Sequence, residues 1–327
     1  MAESIYWMGR YVERAENIAR VIEVNLNLML DLPVDQPQQW QPLVATTGDA
    51  AEFAKRYSVA SQRNVIEFLA FDRDNSNSIA SCLRAARENA RSVREIISSE
   101  MWEQLNEFYL SVHSWSSSRR TDPQELLRSV KRGGHLFAGV TDATMTHNEG
   151  WNFCRLGRML ERADKTSRIL DVKYFLLLPA ASDVGTTSDD IQWAAVLRSA
   201  SAFEMYRKCH GRILPDRIVE FLLLEKEFPR AVYYCLAHAR ASLHAISGTP
   251  TAMFRHPVER VLGELCSELA YAKVETVITA GLHQYLDRLQ TKMNDVGSGI
   301  SAAFFATRTT KPVRKARGRR PAARFGA

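Results

Sequence analysis

Ten residues near the start of the chain, MGRYVERAEN at 8–17, return in the middle as LGRMLERADK at 156–165, with Gly, Arg, Glu and Arg at matching places. A shift of 148 aligns 8–30 with 156–178, where nine of twenty-three residues are identical, including Gly9/Gly157, Arg10/Arg158, Glu13/Glu161, Arg14/Arg162 and Arg20/Arg168. A shift of 153 aligns 65–93 with 218–246. It matches Glu67/Glu220, Phe68/Phe221, Leu69/Leu222, Cys82/Cys235, Leu83/Leu236, Ala86/Ala239 and Arg87/Arg240, and it pairs Trp40 with Trp193. Two blocks in the same order at nearly the same offset point to a tandem duplication with a small insertion. With only two copies, the expected product is one bundle of quasi-twofold symmetry and not an extended solenoid.

The repeated unit reads as helix. Ile5, Met8, Val12, Ala15, Ala19, Ile22, Leu26 and Met29 fall at steps of three and four, sustained to Leu32-Pro33, where the ring of proline ends a helix. A helix of ~30 residues runs about 45 Å. The same period recurs at Ile79, Leu83, Ala86, Ala90, Val93 and Ile97, after the turn-rich DRDNSNS of 72–78 with its capping Ser or Asn. Further breaks fall at SSSRRTDP (116–123), PAASDVGTTSDD (179–190), RILPD (212–216) and SGTP (247–250). The short runs VIEFLAF (65–71) and IVEFLLL (218–224) are read as buried helix. The expected fold is all-α: a helical bundle of two quasi-equivalent tandem halves, about 1–147 and 148–306, followed by a disordered basic tail at 307–327.

On the first helix Arg10, Glu13, Arg14 and Asn17 project from the side opposite the stripe, and that side continues as Val21, Val24 and Leu28. The second copy repeats this with Arg158, Glu161, Arg162 and Lys165, then Ile169, Val172 and Leu176. A helix apolar on both sides is enclosed by neighbours, so its charged patch is shielded too, and shielded charges must be paired. Each Glu has two Arg beside it. The surplus guanidinium leaves two readings. In one, Glu16, Asp164, Glu149 or Glu88 completes a structural salt-bridge network. In the other, Arg10, Arg14, Asn17, Glu149, Arg158 and Arg162 hold an anionic ligand through bidentate hydrogen bonds, with Glu13 and Glu161 as candidate general bases.

Other chemistry finds little support. The eight histidines form no HExxH or Glu-x-x-His pair, and the five cysteines no zinc-type spacing, so no metal is expected. Without a Walker A or GxGxxG motif, no cofactor is expected either. His147, in THNEGW, is read as part of a helix start with Asn148 as cap and Glu149 on the positive end. Trp7 and Tyr11 are read as packing, and Cys154 as a core thiol. The net charge of +6 resides in the tail: residues 308–327 hold eight Lys or Arg and no acid, leaving +6 − 8 = −2 for the rest. Such a tail suits weak contact with nucleic acid or an anionic membrane. Scattered cysteines, an early apolar run interrupted by Arg10, Glu13 and Arg14, and no apolar span of ~18 residues together point to a cytoplasmic protein.

MGRYVERAENIAR, ARENARSVREIISSEMWEQLN (85–106), EGWNFCRLGRMLERAD (149–164), LRSASAFEMYR (197–207) and FLLLEKEFPRAV (221–232) together resemble the bacterial alpha-E family, named for a helical domain with an ER motif. The resemblance covers the chain to about Phe305. It places the ER positions at Glu13-Arg14 and Glu161-Arg162. It implies an all-helical fold, a bacterial origin and work beside a circularly permuted ATP-grasp ligase, and in some systems a transglutaminase-like protein, in making or attaching peptides. Family members usually carry a few residues of the form Met-Leu-Ser-Arg before the segment that starts here at Met1, so the resemblance implies a shortened or misassigned start that lacks the first-copy counterpart of His147 to Glu149, and the basic tail departs from the family pattern. The function expected from this is accessory or co-catalytic. The alternatives are a stand-alone amide-bond transferase or hydrolase using the Glu-Arg pairs, and an interaction scaffold in which those pairs are purely structural.

Overall fold

The computed structural model describes residues 1–31, 40–117, 122–176 and 187–306. The expected proline stop at 32–33, parts of the breaks at 116–123 and 179–190, and the basic tail lie outside these residues. Among the described residues every regular element is helical, with no strand. The first half contains α1 (Ala2–Asp31), α2 (Gln41–Thr47), α3 (Ala50–Arg56), α4 (Gln62–Ile66), α5 (Ile79–Arg91), α6 (Ser99–Ser117) and α7 (Pro123–Thr144). The second contains α8 (Glu149–Leu176), α9 (Thr187–Ser199), α10 (Phe203–His210), α11 (Pro215–Leu224), α12 (Val232–Ser247), α13 (Pro257–Tyr271), α14 (Val274–Thr279) and α15 (Leu282–Ile300). VIEFLAF is helical as expected, although Glu67–Phe71 forms a π-helical turn, as does Ser301–Phe305 after α15.

Local chemistry sets the helix ends. Ser78 caps α5 by accepting the amide of Ser81, Asp122 caps α7 by accepting that of Gln124 ahead of Pro123, and Asn148 caps α8 by accepting that of Gly150. The stripe of α1 is buried from Ile5 through Leu26. One periodicity overshoots: α5 ends at Arg91, and the Ser92 hydroxyl bonds back to the carbonyl of Asn89. Val93 and Ile97 are buried all the same, in the turn that follows.

α1 and α8 form the centre, and each is flanked by similar neighbours. α5 and α7 pack on α1 as α12 and α15 pack on α8, while α9 lies on α1 and α2 on α8. The central pair crosses at Gly9 and Gly157. A Cβ on Gly9 would lie 2.5 Å from the carbonyl oxygen of Cys154, and one on Gly157 would press on the carbonyl oxygen of Tyr6. Those contacts are mirror images, because the shift of 148 turns Tyr6 into Cys154. The turns after α2 and α9 also correspond under the shift of 153: Gly48 and Ser201 both have positive φ, 84° and 51°. Arg168 packs at Gly48, and Arg20 donates to the Ser201 hydroxyl.

Because the obstacle at Gly9 and Gly157 is backbone, relief requires the helices to part. Gly157→Ala and Gly9→Ala are each expected to destabilise by about 1–3 kcal/mol, seen as a lower melting temperature in circular dichroism. Gly263→Ala in α13, where an added Cβ meets nothing within 4 Å, should be neutral or mildly stabilising. Equal behaviour of the three variants would refute the close crossing.

Candidate functional site

Just beyond the glycine crossing, one turn along each helix, the ER motifs face each other and exchange partners. Arg14 of α1 forks onto Glu161 of α8, with Nε 2.7 Å from Oε1 and Nη2 3.0 Å from Oε2. Arg162 of α8 forks onto Glu13 of α1, both bonds at 2.8 Å. These are the planar two-point pairings for which guanidinium and carboxylate are matched. Arg10 adds a bond from Nε to Glu161 at 2.8 Å. Glu161 is fully buried and Glu13 is 5% exposed.

A second layer holds the first. Arg230, just before α12, donates to Asn17 at 3.0 Å and Glu16 at 2.8 Å and lies 3.4 Å from Glu13. Asn77, its counterpart before α5 under the shift of 153, accepts from Arg14 at 2.6 Å and donates to Asp49 at 2.7 Å. Glu16 also pairs with Arg20, and His135 of α7 reaches it at 3.5 Å. Asp164 takes Arg168 on both oxygens at 3.0 Å and Lys165 at 3.3 Å. Around Glu161 and Asp164 thus stand Arg10, Arg14, Lys165 and Arg168. Around Glu13 and Glu16 stand Arg20, Arg158, Arg162 and Arg230.

The charges are consistent with this layout. Burial alone would push the Glu161 carboxyl up, but Arg14 and Arg10 hold it well below the usual carboxylate range, and Arg162 and Arg230 do the same for Glu13. Arg158 differs: among the described residues it makes no ion pair or hydrogen bond, and burial and then Arg162 push its pKa down. The buried thiols stay protonated, Cys82 and Cys235 pushed up to about 12 and Cys154 to about 11. Cys82 and Cys235 point at equivalent loop carbonyls, of Ser76 at 3.8 Å and Pro229 at 3.5 Å, as core thiols do.

Of the residues expected at the site, Glu13, Glu161, Arg10, Arg14, Asn17, Arg158 and Arg162 come together. Glu149 does not: it is exposed in the first turn of α8, twelve residues and about 18 Å of helix before Glu161. Of the acids considered for completing the network, Glu16 and Asp164 take part, whereas Glu88 pairs with Arg87 and Arg91 on the surface. His147 is exposed and stacks on Trp151 with ring centroids 4.1 Å apart. Trp7 stacks on Tyr11 at 5.4 Å and lies under Arg10 at 5.1 Å. Arg230 and Asn77 were not anticipated. Their signal was the shift of 153, which places Arg230 of EFPRAV on Asn77 of NSNSIA. No group of three or more His, Cys, Asp or Glu among the described residues is placed to hold a metal, and no described helix is long and apolar enough to cross a membrane.

A family model, Alpha-E, described as a predicted alpha-helical domain with a conserved ER motif, matches residues 1–305. The uncharacterized proteins Rv2567 of Mycobacterium tuberculosis and Mb2597 of Mycobacterium bovis are each 22% identical to the chain over 329 residues, covering 92% of it and 36% of their own length. The chain thus spans about a third of these curated relatives. No solved structure matches it.

Depressed carboxylate pKa values tie stability to pH. In the unfolded chain Glu13 and Glu161 titrate near the ordinary glutamate value of 4.5, and in the fold they titrate lower. Their stabilisation is therefore fully present above about 4.5 and is lost as pH falls toward the folded values. Melting temperature should be flat from pH 7 to 5 and decline steadily below 4.5, and Glu161→Gln should make that decline shallower. At pH 7 the same variant strands Arg10 and Arg14 and should cost about 3–5 kcal/mol, whereas Glu149→Gln should leave the melt unchanged. A Glu161→Gln protein as stable as the parent would show the network to be dispensable.

Proposed function

The chain belongs to the Alpha-E family, and from that premise we propose that it is a helical interaction module whose Glu-Arg network locks α1 to α8 and which acts on a second protein or domain instead of catalysing alone. One observation carries this reading: both ER glutamates are buried, saturated by guanidinium forks and held below the usual carboxylate range. A general base at neutral pH needs a pKa near the working pH. Glu13 and Glu161 are held in the opposite direction, and the buried cysteines are held as thiols. A role beside other polypeptide is supported by the share of the curated relatives that the chain leaves uncovered. The partner chemistry that fits the family resemblance is an ATP-grasp-type ligase forming peptide or amide bonds, with a transglutaminase-like protein as a further associate. The matching geometry at Gly9/Gly157, Glu13/Glu161, Asn77/Arg230 and Gly48/Ser201 supports descent by tandem duplication. The basic tail is assigned a weak anionic contact and the module a cytoplasmic place.

Mixing the purified chain with the ATP-grasp-type ligase of its host tests the proposal. Co-elution and a several-fold change in ATP hydrolysis are expected. Glu161→Gln, assayed below its lowered melting temperature, should retain both. Amide-bond turnover by the isolated chain, abolished by Glu161→Gln at unchanged melting temperature, would instead establish an enzyme.

A further inference from the structure

The two sides of the α1-α8 pair carry corresponding charges but are covered differently. On the Glu13 side, α7 packs close through its Gly133-Gly134 pair, and a Cβ on Gly134 would lie 2.7 Å from the Glu16 side chain. On the Glu161 side, α15 stands off. It is tied to α8 by His283 against Asp171 at 2.6 Å and, through the π-helical turn that follows it, by Phe304 and Phe305 against Phe153 at 5.9 Å. Between these ties lies a cleft of about 660 Å³, bordered by Trp7, Arg10 and Asp164 and, from α15, by Asn294, Gly297 and Ser298.

Arg10 is the chemistry of this cleft. Its Nε is committed to Glu161 and its Nη1 to the Tyr6 hydroxyl at 3.3 Å, and Nη2 has no partner among the described residues. Glu161 has no need of it, being saturated by Arg14 and by the Nε of Arg10. The Arg10 side chain is 18% exposed and its guanidinium is pinned by Glu161 and the Tyr6 hydroxyl, so its remaining donor is held at fixed geometry beside the indole of Trp7 on the cleft border. Such preorganisation lowers the ordering cost of binding. Asp164, on the same border, already engages Arg168 and Lys165, so neither cation is free to receive a second anionic group, which disfavours phosphate and other multiply charged anions.

We propose that this one-sided cleft binds an organic monocarboxylate with an apolar or aromatic body, its carboxylate held by the free face of Arg10 and its body against Trp7. The polar groups of Asn294 and Ser298 lie within the same cleft for secondary contacts. The inference stands apart from the ligase partner, since it concerns the isolated chain.

The test is calorimetric titration of the full chain with N-acetyl-L-phenylalanine, its neutral amide and inorganic phosphate. Saturable binding of the carboxylate is expected, with the amide and phosphate each at least about tenfold weaker, the size of a lost charge-assisted bond. Arg10→Lys should weaken the carboxylate by a similar factor, while Arg158→Lys on the opposite side should not. Because Arg10 also serves the network, Gly297→Leu provides a variant outside it. An added Cβ there finds nothing nearer than Arg10 Nη1 at 4.0 Å, so the backbone accepts a side chain at this position, and the leucine, projecting into the cleft beside the guanidinium, should abolish binding at an undiminished melting temperature. Absence of saturable binding in the parent, equal affinity for acid and amide, or unchanged affinity in Gly297→Leu would overturn the proposal.

Discussion

The structure depends on a swap. Each of the two central helices carries one ER motif, a glutamate and the arginine after it, and neither motif's glutamate is satisfied by its own adjacent arginine. Glu13 is clasped by Arg162 and Glu161 by Arg14, and the fork geometry works only if the two backbones come close enough for each guanidinium to meet its carboxylate squarely. The glycine pair one turn earlier provides that approach. Residues that look unrelated in sequence, a small one without a side chain and a charged pair four positions on, are therefore two parts of one joint. Its charge balance is kept by groups from outside the central pair, Arg230 on one side and Asn77 with Asp49 on the other.

Burying so much charge is costly, and the arrangement bears the marks of that cost. The carboxylates are nearly surrounded by donors, and the arginines are splinted by asparagines, a serine and a tyrosine. A buried ion pair adds little net stability over well-packed apolar residues, but it penalises every register in which the partners miss. The joint is best understood as fixing which turn of α1 faces which turn of α8. Hydrophobic stripes alone, repeating every three or four residues, would tolerate slippage by a turn.

Much of this was legible in the residues. Periodicity located the helices, the capping residues located their starts, and the internal repeat put the two ER motifs in corresponding places. What the sequence could not reveal is geometry between segments distant along the chain. Glu149 satisfied every local criterion, an acid near a guanidinium-rich stretch, yet it lies about 18 Å along the helix because helical rise separates what adjacency in sequence joins. Arg230 was hidden for the opposite reason: it sits in a short turn with no periodic context, and only the fold carries it to Glu13. The difference between the two flanks was hidden as well. Gly133-Gly134 and the small residues of α15 read alike in composition, and only the standoff of a whole helix separates a filled side from an open one.

The placement of α2 on α8 and of α9 on α1 means that the two segments are not neighbours but hostages. A fragment ending near residue 147 would keep α1 yet lack the helix that covers it, and its Glu13 would have neither Arg162 nor Arg230. The complementary fragment would fail in the same way. If such a chain arose by doubling, its ancestor had to be a pair of identical subunits interlocked in this manner, and fusion changed the connectivity while leaving the contacts where they were.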